Sequence, residues 1–174
     1  ETCAPRPTGR PETTTSQIRI DIATAVQADL ALIGVEFKPI HTPAGTFFGS
    51  YADGGVMPTG KYDMAGYTTG FYPDPYTDNY KCESVPNASN PSGTNWYLNC
   101  DPVLSDMMEE ANASADPATR KATLDEAQAY IFDHYYVVMM YARANVYGMT
   151  DRFVPGSFGF FSNLNWNAEE WDVK

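Results

Sequence analysis

Basic residues are scarce in this chain: eleven Lys and Arg stand against twenty-two Asp and Glu, a formal net charge of −11. Binding nucleic acid needs clustered Lys and Arg to neutralise phosphates, so that class of partner is excluded. Histidine is scarcer still, with only His41 and His134. A catalytic dyad would need one of them beside a Ser or Cys, and no G-x-S-x-G elbow occurs. His134 falls near the end of a predicted helix, where a structural role with the helix dipole is expected. Glycine motifs of the P-loop or Rossmann kind are absent. The three cysteines, Cys3, Cys82 and Cys100, are too scattered for a zinc site. The sequence therefore assigns no catalytic residue, no metal and no cofactor. No apolar run approaches the roughly twenty residues that cross a bilayer, and the opening ETCAPRPTGR lacks the basic and apolar regions of a signal peptide.

What the chain does have is aromatic side chains. They make up 14% of 174 residues, and twelve are tyrosines. The length suits one ordinary domain with a real core. The rings concentrate in residues 62–80, YDMAGYTTGFYPDPYTDNY, which hold six Tyr or Phe, two prolines and three acids. A core would not need the acids and a solvated loop would not need the rings, whereas a surface gripping a partly polar, partly apolar ligand needs both. A strand packing its rings into a core, closed by Pro73 and Pro75, is the plainer alternative.

Along the chain, residues 1–15 carry three prolines and a Thr-rich end, and read as an extended entry loop or linker. Ile18, Ile22, Val26, Leu30 and Ile33 have near-helical spacing, with Ser16 to cap the start and Gly34 the end. VEFKPI alternates like a strand. TPAGTFFGSYADGGVMPTG is expected to hold one short helix and a loose Gly/Pro loop, and YDMAGYTT a strand. Asp101-Pro102 and Asp116-Pro117 each supply a capping acid and a proline at the first helical position. Val103, Leu104, Met107, Met108 and Ala111 form the stripe of the first helix, and Leu124, Ala127, Ile131 and Phe132 that of the second. YYVVMMYAR reads as a buried strand, NVYGMT as its continuation or pair, and the tail from 151 as aromatic and irregular. Helices alternating with strands make the fold class α/β.

Asp74 and Asp78 lie four apart, so a short helix would present both on one face. Paired carboxylates can serve glycoside hydrolysis or calcium, but Asp-Pro also starts the two longer helices, and capping by Asp74 is the more economical account. Cys82 and Cys100 bracket a loop-forming stretch without evident apolar anchors. A disulfide closing it would contribute about 3 kcal/mol in the chain-entropy model and implies an oxidising compartment. The triplets at Asn87 and Asn112 match the N-x-S pattern, which is short enough to arise by chance.

Four stretches in order carry a family resemblance. RIDIATAVQADLALIGVEFKPI resembles a helix of the form Q-x-x-L-x-x-I-G-I leading into a strand. KYDMAGYTTGFYPDP resembles a D-x-x-x-x-G-W strand and D-P turn. NWYLNCDPVLSDMMEEANASADPATRKATLDEAQAYIFDHYYVVMMYAR resembles a block with N-x-x-x-y and d-x-x-x-R patterns, and the Trp-bearing end resembles the closing segment. Together they resemble the C-terminal lobe of family 5 extracellular solute-binding proteins, receptors of ABC importers for oligopeptides, dipeptides, nickel and some oligosaccharides.

The resemblance implies one lobe of a two-lobe type II periplasmic-binding-protein-like fold, with a mixed sheet flanked by helices. Residues 1–15 would enter the lobe, 16–150 would form it, and 151–174 would pack on an N-terminal lobe belonging to a longer protein, in which Cys3 lies where the chain enters. It implies a monomeric, extracytoplasmic receptor, periplasmic or at the cell surface and lipid-anchored through its N-terminus, that passes a small solute to a membrane permease without chemistry. The ligand-binding residues carried over are Gly66, Tyr67, Thr68, Thr69, Gly70, Phe71, Tyr72 and Asp74, with Tyr67 where the family has Trp. Phe47, Phe48 and His41 would add a second wall. Gly70 stands where peptide-binding members place an aspartate against the ligand's α-amino group. Glycine cannot pair an ammonium, so an oligosaccharide or a capped peptide is expected over a free-amine peptide. The rivals are a secreted glycosidase built on Asp74 and Asp78, and a protein-binding module using Phe158, Phe160, Phe161 and Trp166.

Overall fold

A computed structural model of the chain describes residues 8–70, 74–142, 148–154 and 166–173. The chain divides into two compact units. One comprises residues up to 69 together with 76–136, and the other comprises 70–75 with 137 onward.

The first unit is built on parallel pairing. Strand β1 (Thr8–Gly9) pairs with β3 (Glu36–Phe37), and β2 (Pro11–Thr14) runs between β4 (Ile40–Thr42) and β5 (Met64–Gly66). Residues 8–9 and 11–14, in the stretch expected as loop, are thus strand, and β2 is the centre of a three-stranded sheet. The prolines misled because Pro11 occupies the first strand position, where proline is tolerated, while the Thr run behind it favours the extended chain. All four β2 residues are buried. The Glu12 carboxylate is satisfied there by Arg10 (Nε at 3.1 Å, Nη2 at 2.9 Å) and by the Thr42 hydroxyl at 2.9 Å, as a buried charge requires.

Helix α1 (Gln17–Leu32) begins at Ser16, which takes the N-cap position without making a side-chain cap bond. It ends where expected: Gly34, at φ +81°, donates to the Ala31 carbonyl. Only Ala23 of α1 is buried; Leu32 and Ile33 at its end stay largely exposed. VEFKPI is two short strands rather than one, broken at Lys38-Pro39.

The segment after α2 (Ala44–Phe47) is not a loose loop. Val56 and Met57 join Phe47 in the core, with Tyr62, Ala65, Tyr67 and Trp96 packed around them. Their backbone N–H groups donate to the carbonyls of Thr46 and Phe47, and two glycines allow the chain to double back. A Cβ on Gly55 would lie 2.0 Å from the Gly49 carbonyl oxygen.

Helices α3 (Pro102–Ala113) and α4 (Pro117–Asp133) start at the expected Asp-Pro signals. Asp101 accepts from the N–H groups of Val103 and Leu104, and Asp116 from that of Thr119. They pack together through Leu104, Met108 and Ala111 of α3 and Thr123, Ala127 and Ile131 of α4, while Val103 and Phe132, expected in the stripes, are exposed. Cys82 and Cys100 form the predicted disulfide. The Asn112 amide donates to the Thr77 hydroxyl at 2.8 Å, tying a short 3-10 turn (Thr77–Tyr80) to α3.

In the second unit, β6 (Phe153–Val154) and β7 (Asp172–Val173) pair antiparallel, so the tail is less irregular than its composition indicates. The strand expected over YYVVMMYAR is not formed within 137–142: no described strand pairs with it, and Val138, Met139, Met140 and Tyr141 are exposed.

Candidate functional site

Because β4, β2 and β5 are parallel, their carboxyl ends share one edge, the place where open α/β sheets gather ligands. Thr15 and Ser16 leave β2 there, Pro43 leaves β4, and Tyr67, Thr68 and Thr69 leave β5. The register sets Thr13 between His41 and Gly66, and the Thr13 hydroxyl donates to the Gly66 carbonyl at 2.6 Å. Arg19, in the first turn of α1, donates from Nη2 to the Thr68 hydroxyl. A guanidinium therefore reaches the same edge.

Tyr67 is half-buried against rings. Phe48 meets it edge-on, with centroids 6.0 Å apart, and Trp96 stacks on Phe48 at 6.2 Å. Tyr62 fastens this group by donating its hydroxyl to the Trp96 carbonyl. The Tyr97 ring stacks on Tyr80 at 5.0 Å and 13°. Burial, and then Tyr97, push the Tyr67 and Tyr80 phenols well above their ordinary range. The same two causes push Tyr62 up to about 12. These phenols are neutral hydrogen-bonding groups at physiological pH.

The residues expected from the sequence are thus distributed unevenly. Gly66, Tyr67, Thr68 and Thr69 lie at the carboxyl edge. Gly70 and Asp74 belong to the second unit, and Phe71 and Tyr72 lie outside the described residues, as do Phe158, Phe160, Phe161 and Cys3. Of the residues expected as a second wall, Phe48 is 39% exposed and lies against Tyr67, but Phe47 is fully buried and is core. His41 sits within β4, its Nδ1 buried and without a partner among the described residues.

Asp74 does not cap the helix after it. That 3-10 turn starts at Thr77 behind Tyr76, and a residue preceding proline is disfavoured in helical conformation. Asp78 pairs with Lys81 at 3.0 Å. The helix that would align the two carboxylates therefore does not include Asp74, and the glycosidase reading loses its geometric basis. No group of three or more His, Cys, Asp or Glu is placed to hold a metal among the described residues.

Sequence reasoning missed Arg19, Tyr80, Trp96 and Tyr97. The signal for the last two was present: NWYLN sets a Trp and a Tyr side by side in a loop otherwise rich in Ser, Asn, Pro and Gly.

No known family model and no curated protein matches the chain in sequence. Solved structures do match in fold. NikZ from Campylobacter jejuni in complex with Ni(L-His) superposes with a TM-score of 0.66 at 18% identity, covering 96% of this chain and 33% of NikZ. The periplasmic binding protein DppA from Helicobacter pylori in complex with the peptide STSA gives 0.58 at 23%, covering 74% of this chain and 24% of DppA. The murein tripeptide binding protein MppA, in its unliganded open form, gives 0.53 at 18%, covering 75% and 24%. The chain has the fold of part of these binding proteins and spans at most a third of their length.

Proposed function

We propose that the chain is the ligand-binding lobe of an extracytoplasmic solute receptor that captures a small solute and presents it to the permease of an ABC importer. The observation that carries this reading is the carboxyl edge of β4-β2-β5, where the Tyr67 ring and the Thr68 and Thr69 residues stand beside a fixed aromatic wall. An edge offering rings and hydroxyls without a reacting constellation holds a solute and lets it go. The fold supports it, since NikZ, DppA and MppA bind small solutes.

The preferred solute is a neutral oligosaccharide or an amino-capped peptide. Gly70 supplies no acid for an ammonium, and the Arg19 guanidinium at Thr68 repels one. Residues 151–174, with the exposed apolar stretch 138–141 of the same unit, are the part a second lobe would cover. One lobe presents half a cleft, so the fragment alone binds weakly.

The test is a thermal-shift screen of the full protein against cello- and malto-oligosaccharides, N-acetylated peptides and free-amine peptides, with the retained ligand weighed by mass spectrometry. A ligand at a hundred times its Kd stabilises by about 2.7 kcal/mol. Stabilisation by a saccharide or capped peptide recovered intact is the expected result. Recovery of a cleaved ligand would overturn the receptor reading, and stabilisation by free-amine peptides alone would overturn the preference.

A further inference from the structure

We propose that Asn87 is the acceptor of an N-linked glycan, and that Asn112, the asparagine of the other N-x-S triplet, is not. This rests on the extracytoplasmic location proposed above, which the Cys82–Cys100 disulfide supports independently, and not on the solute site.

An acceptor asparagine has to lie where a transferase can reach it, on a surface loop of an exported chain. Asn87, Ala88 and Ser89 are consecutive exposed residues within the stretch that the disulfide closes. They sit in a tight turn. The Asn87 N–H donates to the Asn90 carbonyl and the Asn90 N–H to the Asn87 carbonyl, both at 3.1 Å. Within this turn three donors converge on the Asn87 carboxamide oxygen: the Ser89 hydroxyl at 2.6 Å, and the N–H groups of Ser89 and Asn90 at 2.9 Å. The Nδ2 group carries two hydrogens and gives one to the Val85 carbonyl at 3.1 Å.

The chemistry of transfer makes that convergence useful. Nδ2 attacks the anomeric carbon of a sugar carried on a polyprenyl diphosphate. The C–N bond forms as the C–O bond to the diphosphate breaks, and the diphosphate leaves with the electron pair. One Nδ2 proton passes to a base of the transferase. As it leaves, negative charge spreads from Nδ2 onto Oδ1, where the three donors stabilise it. The Ser89 hydroxyl is one of those donors, so the third residue of the triplet has a physical role. The triplet at Asn112 is built differently. Asn112 lies in α3, where its Nδ2 donates to the Thr77 hydroxyl at 2.8 Å and its Oδ1 accepts from that hydroxyl at 3.1 Å. The Ser114 hydroxyl donates to the Asp116 carbonyl at 3.2 Å, away from Asn112. A glycan on Asn112 would break the tie between α3 and the 3-10 turn.

The test is a peptide mass map of the full protein isolated from the envelope of its own organism. Cleavage before aspartate separates the two triplets, placing Asn87 in the peptide 78–100 and Asn112 in 106–115. Peptide 78–100 should be heavier by whole sugar residues, electron-transfer fragmentation should locate them on Asn87, and 106–115 should have its unmodified mass. Ser89→Ala, introduced into the full-length gene in the same organism, should abolish the added mass, and Ser89→Thr, which retains a hydroxyl, should keep it. A bare 78–100, sugars on a Ser or Thr hydroxyl, a glycan on Asn112, or a Ser89→Ala protein that stays glycosylated would each overturn the proposal. The mass of 78–100 before and after reduction separates the causes of a negative result. A bridged but bare peptide leaves the location standing and removes the glycan alone, whereas thiols that are free from the start remove both.

Discussion

The Tyr136 hydroxyl donates to the Asp101 carboxylate at 2.6 Å, and Asp101 is also the residue that caps α3. The Tyr130 hydroxyl of α4 donates to the same oxygen at 2.9 Å. One carboxylate thus closes the start of one helix and anchors the end of its neighbour. His134 is clasped between the two rings, 3.9 Å from Tyr130 and 5.7 Å from Tyr136, with Nδ1 on the Tyr130 carbonyl.

Asp101→Ala removes the cap and both tyrosine anchors. Loss of a cap costs about 1 kcal/mol, and the cost should show in urea unfolding at pH 7. The Tyr136 hydroxyl, with Tyr130 and the N–H groups of Leu104 and Val103, holds the carboxyl below its ordinary value against the opposing effect of burial. A carboxyl depressed in the fold stabilises above its unfolded value of about 3.9 and loses that contribution as pH falls through the folded value. The gap between Asp101→Ala and the unaltered protein should therefore narrow below pH 4. A gap that stays constant into acid would contradict the role of the ionised carboxylate.

Gly55→Ala should be among the most damaging single-atom additions. Its Cβ meets backbone, not a side chain that could swing away, and overpacking of this kind costs roughly 1–3 kcal/mol. Gly45→Ala is the control, since a Cβ there meets nothing within 4 Å and the residue lies in α2. Thermal unfolding should separate the two. Equal melting temperatures would mean that the 49–55 crossing is looser than it looks.

Much of this was legible in the sequence, and the limits have physical causes. The α3–α4 pair was readable because Asp-Pro is a local signal that fixes a helix start without tertiary help. The disulfide was readable from two cysteines flanking a stretch of turn formers. By contrast, β2 was masked by its prolines, and only pairing on both sides makes PETT a central strand. Val56 and Met57 looked like loop because two glycines preceded them, yet those glycines are what let the chain fold back into the core. At the site, Tyr67 and Thr68 were named from the family resemblance of KYDMAGYTTGFYPDP and not from any period of the strand. Arg19 reaches that edge from 49 residues before Thr68, and Trp96 reaches Phe48 from a separate loop, so no local period marks them.

Alkali should destabilise the fold through the tyrosine cluster. Tyr62 is pushed up to about 12, first by burial and then by Tyr97, with Tyr67 and Tyr80 moved in the same direction. A phenol raised in the fold contributes its full stabilisation below the unfolded value of about 10 and loses it as pH climbs toward the folded value. Urea midpoints should hold steady to about pH 9 and fall between pH 10 and 12. Tyr62→Phe, which cannot ionise, should flatten part of that fall, and an unflattened curve would remove Tyr62 from the account.

The disulfide gives the last prediction. Replacing both partners, as Cys82→Ser with Cys100→Ser, frees a loop whose closure is worth about 3 kcal/mol in the chain-entropy model. Urea unfolding should register a loss of that order. The loss is not confined to global stability, because the loop carries Trp96 and Tyr97 to the aromatic wall. Freed from the staple, the loop relies on the latch that Asn95 makes on the Ser84, Lys81 and Asn99 carbonyls, with the Tyr62 and Trp96 hydrogen bonds beside it. Trp96 should then become more accessible to acrylamide at urea concentrations well below the unfolding midpoint. Trp166 and Trp171, both in the other unit, contribute a background, which Trp166→Phe with Trp171→Phe removes. Quenching that rises only together with unfolding would show that the latch suffices and that the disulfide serves stability without shaping the wall.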